Sequence, residues 1–184
     1  MNRKSTILIL LALTLFGFAH GQQYGFTPEK YLNKEFQFSG LRTLDNEKIN
    51  SNSLKGKPTL INFWFTTCKP CIEEMPVLNS VKRTLSDSVN FIAITFDPKE
   101  KVTPFLEKHT FEFTHITDAK AFTDKLEMKA YPVNMFLDKN GIVTQIEIGL
   151  PQVMDANNKP MLRGGRQFVE ILEKLLANTA PGES

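Results

Sequence analysis

Cys68 and Cys71 are the only two cysteines in 184 residues, and Lys69 and Pro70 alone separate them. A bridge across so short a gap removes little entropy from the unfolded chain, so it is a poor staple. A structural framework uses several cysteines that close longer loops. The pair is better suited to reacting, one thiolate attacking a disulfide and a neighbouring thiol resolving the mixed disulfide. From about Lys69 to Leu85 the apolar residues Ile72, Met75, Leu78, Val81 and Leu85 recur at spacings of three and four, which predicts a helix. The cysteines then lie at its first turn, where unpaired N–H groups carry partial positive charge and favour a thiolate. Pro70 fits there because a missing N–H costs nothing in the first turn. Lys69 adds a positive charge beside Cys68. Cys68, just outside the helix, is expected to be the exposed nucleophile, and Cys71, one turn in, the buried resolving thiol.

Other uses of a C-x-x-C pair fit less well. A zinc site would need two further ligands, and His109 and His115 have only a loosely suitable spacing. Thirty-seven residues separate Cys71 from His109, far beyond the usual gap of about 12–15. Haem attachment needs a histidine directly after the second cysteine, and Ile72 stands there.

The elements that must position the cysteines follow from pattern. Thr59 to Phe65, almost wholly apolar, aromatic or β-branched, reads as a buried central strand ending just before the pair. Val89 to Thr95 is a second such strand, and Phe111 to Ile116 a short strand or extended piece. Phe36 to Phe38 and Lys48-Ile49 flank a turn-like stretch, Leu44 to Glu47, and predict a small hairpin. Asp97-Pro98-Lys99-Glu100 has the form of a helix start with Asp97 as cap, although Thr103-Pro104 is an equal candidate. Ala119 to Met128 is a short helix. Asn134 to Leu137 and Ile142 to Ile148 flank Asn140-Gly141, the strongest short hairpin signal. Gly149 to Gly165 is a polar, Pro- and Gly-containing loop, with 151–166 as a candidate partner surface. Gln167 to Leu176 is an amphipathic helix. Alternating strands and helices imply an α/β fold, a mixed central sheet with helices on both faces.

Arg3 and Lys4 precede an apolar run, Ile7 to Phe18, and Ala19-His20-Gly21 follow it. That is a secretory signal with small residues before a cut after Gly21. An uncleaved membrane anchor is the alternative, although the run falls short of the roughly 20 apolar residues a span needs. Without Arg3 and Lys4 the basic and acidic residues are equal, 20 of each, and there is no long basic block. Nucleic acid is a poor partner for such a chain. The expected division is a signal peptide at 1–21, a loosely ordered polar lead-in at 22–34, one domain at 35–178 and a tail at 179–184.

The run Asn62-Phe-Trp-Phe-Thr-Thr-Cys68-Lys-Pro-Cys71-Ile-Glu-Glu-Met-Pro76 resembles the active-site segment of exported thioredoxin-like reductases of the TlpA/ResA kind. Leu54 to Pro58, Lys129 to Val133 and Asn134 to Asp138 extend the likeness over most of the chain after residue 21. The resemblance implies a thioredoxin-like fold with an added N-terminal hairpin and a periplasmic or secreted reductase of protein disulfides. It also implies protein thiols or disulfides as partners, a membrane electron donor, and neither a cofactor nor a metal. By the same resemblance Trp64 packs beside the active site, Pro76 kinks the helix, and Tyr131-Pro132 is a cis bond opposite the cysteines that receives substrate. Glu74 matches an acidic residue one turn beyond the second cysteine, where it would accept the resolving thiol's proton. Three residues along a helix brings Glu74 back to the face of Cys71, with a structural or solvated helix residue as the alternative; Glu73, on another face, is solvated, and Asp97 needs no role beyond capping. A thiol peroxidase of the same fold would carry threonine three residues before the reactive cysteine, where Phe65 stands, and proline four before that, where Ile61 stands. A non-catalytic binding domain with a structural bridge is the third reading.

The export signal makes a direct prediction: N-terminal sequencing of the protein from its native cell should find a chain beginning near Gln22, outside the cytoplasm. An intact Met1 in a soluble cytoplasmic fraction refutes it.

Overall fold

The computed structural model describes residues 26–150, 152–154, 160–162 and 165–178. The signal segment and the tail 179–184 lie outside the described residues. Strands β1 (Leu41–Arg42) and β2 (Lys48–Ile49) form a small antiparallel hairpin. The central sheet holds β3 (Thr59–Trp64), β4 (Asn90–Thr95), β5 (Thr114–Ile116), β6 (Val133–Leu137) and β7 (Val143–Ile148), in the order β5-β4-β3-β6-β7. β4 and β5 run parallel to their neighbours, and β6 and β7 antiparallel. A further pair, β8 (Gln152–Met154) with β9 (Pro160–Leu162), lies within the stretch expected to be a polar loop. The helices are α1 (Lys69–Leu85), α2 (Lys99–Leu106), α3 (Lys120–Lys125) and α4 (Arg166–Ala177).

Every residue of β3 is buried, so its two faces serve two cores. Leu60 and Trp64 face a cluster built with Met75, Leu78 and Val81 of α1 and Phe168 and Leu172 of α4. Ile61 and Phe63 face the other side, against Phe36, Phe38, Leu126 and Met135. The alternation follows the two-residue period of a strand. β4 and β6 divide likewise, Phe91 and Phe136 on the first face, Ile92 and Met135 on the second. The Phe168 ring meets Phe136 edge-on at 4.9 Å, which ties α4 to the sheet.

Several expectations need correction. The lead-in packs from Phe26 onward: Phe26 is buried, stacks on Tyr31 at 5.3 Å, and Asn33 N–H donates to Val143 O. Its aromatic residues find the second face of the sheet, which pattern reading of a polar stretch does not register. The hairpin's first strand is Leu41–Arg42, because Phe36 and Phe38 are taken into that second core instead. Pro104 does not start its helix but lies within α2. At the β6–β7 turn Asp138 Oδ1 accepts from both Asn140 N–H and Ile142 N–H, and Gly141 takes φ 82°, as the Asn-Gly signal requires.

Phe36 meets the rings of Tyr31, Phe38, Phe63 and Phe122. Phe36→Ala should therefore cost about 3–5 kcal/mol, as for a core aromatic. Urea unfolding measures it; a loss under about 1 kcal/mol would place Phe36 at the surface.

Candidate active site

β3 ends at Trp64, α1 begins at Lys69, and the cysteines stand at that junction. Cys68 is the N-cap of α1, with extended backbone, and its Sγ accepts a hydrogen bond from Cys71 N–H at 3.3 Å. Its own N–H donates to Phe65 O, and its carbonyl accepts from Ile72 N–H. The two sulfurs form a disulfide with Cα atoms 5.2 Å apart. Cys68 is 4% exposed and Cys71 1%. Cys68 is not the exposed residue expected from sequence in this oxidised state: both sulfurs sit in the cluster that holds Trp64 and Met75. Pro70 lies in the first turn, and Lys69, almost fully exposed, is 3.8 Å from Glu73 across the outer face. α1 is one helix across Pro76.

Glu74 is not a solvated helix residue. It is 1% exposed, one turn beyond Cys71, and its carboxyl meets two buried amides. Asn62 Nδ2 donates to Glu74 Oε1 at 2.7 Å and to Asn134 Oδ1 at 2.9 Å. Asn134 Nδ2 reaches both carboxyl oxygens at 3.3 and 3.4 Å. Burial pushes the Glu74 carboxyl up to about 8, although the Asn62 and Asn134 amides pull the other way. It is thus largely protonated at neutral pH. Sequence reading gave no role to Asn134, whose alternation within β6 puts it on the same face as Phe136.

Trp64 is fully buried, with its ring against Phe105, Phe111 and His115. His115 is buried in β5, its Nε2 shared with Phe111 O, and burial holds it below the ordinary histidine value. His109 stacks on Phe105. Among the described residues no three His, Cys, Asp or Glu side chains gather as a metal site.

The Tyr131–Pro132 bond is cis, and the Tyr131 ring lies edge-on to Phe65 at 5.2 Å and to Phe96 at 5.7 Å. Phe65 and Phe96 contact each other at 5.2 Å. The Tyr131–Pro132 segment therefore stands beside the loop whose Phe65 carbonyl holds Cys68. Apolar pattern alone assigns Phe65 to the strand and gives Phe96 no role; an aromatic directly after each of two parallel strands is the signal that could have found them.

Asp97 also departs from expectation. Pro98, not Asp97, is the N-cap of α2, and the Lys99 N–H of its first turn is taken by Asp118 Oδ2. The Asp97 carboxylate instead accepts from Thr66 N–H, Thr66 Oγ1 and Lys101 Nζ. Burial raises its pKa, but Lys101 and Thr66 together outweigh burial and hold it below the ordinary carboxylate range.

The AhpC/TSA family matches residues 32–146. The chain belongs to this family. Thioredoxin-like protein YneN of Bacillus subtilis (strain 168) is 33% identical over 113 residues, 59% of this chain and 66% of that protein, so the chain spans just under two thirds of it. Thiol-disulfide oxidoreductase ResA of Bacillus cereus is 30% identical over 147 residues, 78% of this chain and 85% of ResA. A thiol:disulfide interchange protein of the thioredoxin family from Chlorobium tepidum TLS superposes with a TM-score of 0.59 at 24% identity, over 79% of this chain and 96% of that one. The fold is thioredoxin-like. Family, relatives and the Cys68–Cys71 pair together make the chain a thiol–disulfide oxidoreductase.

Glu74 gives a prediction whose sign is fixed by the direction of its shift. A carboxyl raised from its ordinary 4.5 to about 8 keeps, in the folded state, a proton that the unfolded state has lost. Stability is therefore fully present below about pH 4.5, falls as pH rises toward 8, and levels off above. Glu74→Gln removes the ionisation and should flatten that slope. Urea unfolding should find the oxidised variant close to the native protein at pH 4 and more stable at pH 9, by on the order of a few kcal/mol. Parallel curves would mean that Glu74 titrates as a surface carboxylate.

Proposed function

We propose that the protein is an extracytoplasmic reductase of protein disulfides, with Cys68 attacking and Cys71 resolving. The observation that carries this is the N-cap position of Cys68, whose sulfur accepts the Cys71 N–H at the positive end of α1. That environment favours a thiolate at position 68. In the reduced protein the Cys68 thiolate attacks a substrate disulfide, forming a mixed disulfide and releasing one substrate thiolate, which takes a proton. The Cys71 thiol loses its proton and attacks Cys68 Sγ. The second substrate thiol leaves, and the Cys68–Cys71 disulfide remains. Two electrons and two protons pass to the substrate.

Glu74 is the proton partner of Cys71 in this reading. A carboxyl raised to about 8 titrates close to neutral pH, so the ionised fraction of Glu74 would accept the proton that Cys71 gives up. Tyr131 and Pro132 border the Cys68 loop and would receive an extended substrate segment through backbone pairing. Trp64, Pro70 and Pro76 shape the packing around the pair. The N-terminal signal supports a location in the periplasm or outside the cell, where a membrane electron donor would restore the thiols.

Cys71→Ser should trap mixed disulfides with protein partners, and Cys68→Ser should trap far fewer and reduce nothing. Equilibration with defined glutathione ratios gives the direction. A potential well below that of the glutathione pool supports a reductase; one near the roughly −120 mV of a strong oxidase reverses the assignment.

A further inference from the structure

Asp97 lies outside the disulfide and the Glu74 network, yet it is a buried charge, which a fold retains only with good partners. Its partners are divided between its two oxygens. Oδ1 accepts from Lys101 Nζ at 2.7 Å, while Oδ2 accepts from Thr66 N–H at 2.7 Å and Thr66 Oγ1 at 2.8 Å. Charge-assisted bonds of this kind are roughly twice as strong as neutral ones.

The carboxylate is also held from behind. Asp97 N–H donates to Thr95 Oγ1, and Asp97 O accepts from Asp118 N–H. Thr95 O accepts from Ala119 N–H, so the turn after β4 is fastened to the segment between β5 and α3. Thr95 is the last residue of β4, paired with Trp64 at the end of β3. The anchor is therefore the sheet itself. What it grips is Thr66, the middle of the three residues 65–67 that lead from β3 to Cys68.

The ion pair of Asp97 with Lys101, four residues on, ties it to α2 without capping that helix, but nothing local calls for the two bonds to Thr66, 31 positions earlier. Nor does it touch the sulfurs. Its one reach toward the reaction is through Thr66.

We propose that Asp97 is a positioning residue for thiol–disulfide exchange, its carboxylate clamping Thr66 so that the 65–67 loop presents Cys68 in one fixed place. This rests on the reading of Cys68 as the attacking thiol. Attack and resolution both need sulfur atoms in line within a narrow range, and misplacement of about 1 Å can cost on the order of a hundredfold in rate. Asp97 is buried, so its removal should leave substrate binding nearly untouched and act on turnover.

The test uses the full two-cysteine protein and steady-state reduction of a protein disulfide. Asp97→Ala should lower kcat about tenfold with KM little changed. Asp97→Asn keeps an oxygen for the Thr66 N–H and should recover most of the loss, to within about threefold of the native rate. Thr66→Val removes only the hydroxyl bond. It should cost about threefold alone and no more when added to Asp97→Ala, the non-additivity expected of one linked interaction. Thr66→Val with Asp97→Asn forms the same cycle should Asp97→Ala fail to fold. Native kcat in all three single variants, even with a lowered Tm, overturns the proposal and leaves Asp97 a prop of the fold. If Cys71→Ser traps no substrate, the attacking-thiol reading fails and the positioning role falls with it. If it does trap substrate while Asp97→Ala turns over normally, only the role of Asp97 is lost.

Discussion

Everything at this site depends on how the chain passes from a strand buried on both faces into a helix across four residues, 65–68. A strand end and a helix start each leave backbone groups without partners, and neither can be left so in the interior. At the junction these groups are satisfied locally. Cys68 N–H bonds Phe65 O, Ile72 N–H bonds Cys68 O, Thr66 N–H bonds Asp97, and Cys71 N–H bonds Cys68 Sγ. The sulfur thus does the work usually done by a serine or aspartate oxygen at an N-cap. Such a cap is a better acceptor when it carries negative charge. The bond that completes the helix is therefore strengthened when Cys68 becomes a thiolate, so the fold itself favours the reactive form.

Two buried carboxyls flank this junction and are driven to opposite charge states. Among the described residues Glu74 bonds only to the amides of Asn62 and Asn134, dipoles too weak to offset the loss of water, and it is largely protonated at neutral pH. Asp97 meets the Lys101 ammonium as well as two Thr66 donors, and it stays ionised. The chemistry of each follows. A carboxyl raised to about 8 can change its charge near neutral pH, whereas one held below the ordinary range stays ionised there. The same side-chain type takes two charge states because, among the described residues, only Asp97 has a cation bonded to it.

The parts of this arrangement visible in sequence are those governed by period and spacing. The three- and four-residue recurrence gave α1 its observed bounds, Lys69–Leu85, and the cysteines their place at its start. The apolar runs located β3 and β4, and Asn140-Gly141 the β6–β7 turn. What stayed hidden depends on partners distant in the chain. Asp97 looked like a cap because Pro98 and Glu100 follow it, and nothing local reveals that Thr66, 31 positions earlier, offers it two donors. Helical spacing put Glu74 on the face of Cys71, but its amide partner Asn134 stayed hidden because it is delivered by β6 lying beside β3. Phe36 and Phe38 alternate as a strand does, but the core claimed them before the hairpin could.

That last displacement bears on why the chain carries its N-terminal segment at all. Because β3, β4 and β6 are apolar on both faces, the face turned away from α1 and α4 must also be covered. α3, only six residues long, covers too little of it. Phe26, Tyr31, Phe36 and Phe38 complete the cover, with rings in contact from Phe26 through Tyr31 and Phe36 to Phe63 on β3. β3 is the strand that delivers Cys68 to its helix. A loosened second face would let that strand shift, and the Phe65–Thr67 loop would shift with it. The N-terminal aromatic residues are in this sense part of the machinery that holds the disulfide in place, although they lie on the opposite side of the sheet from it.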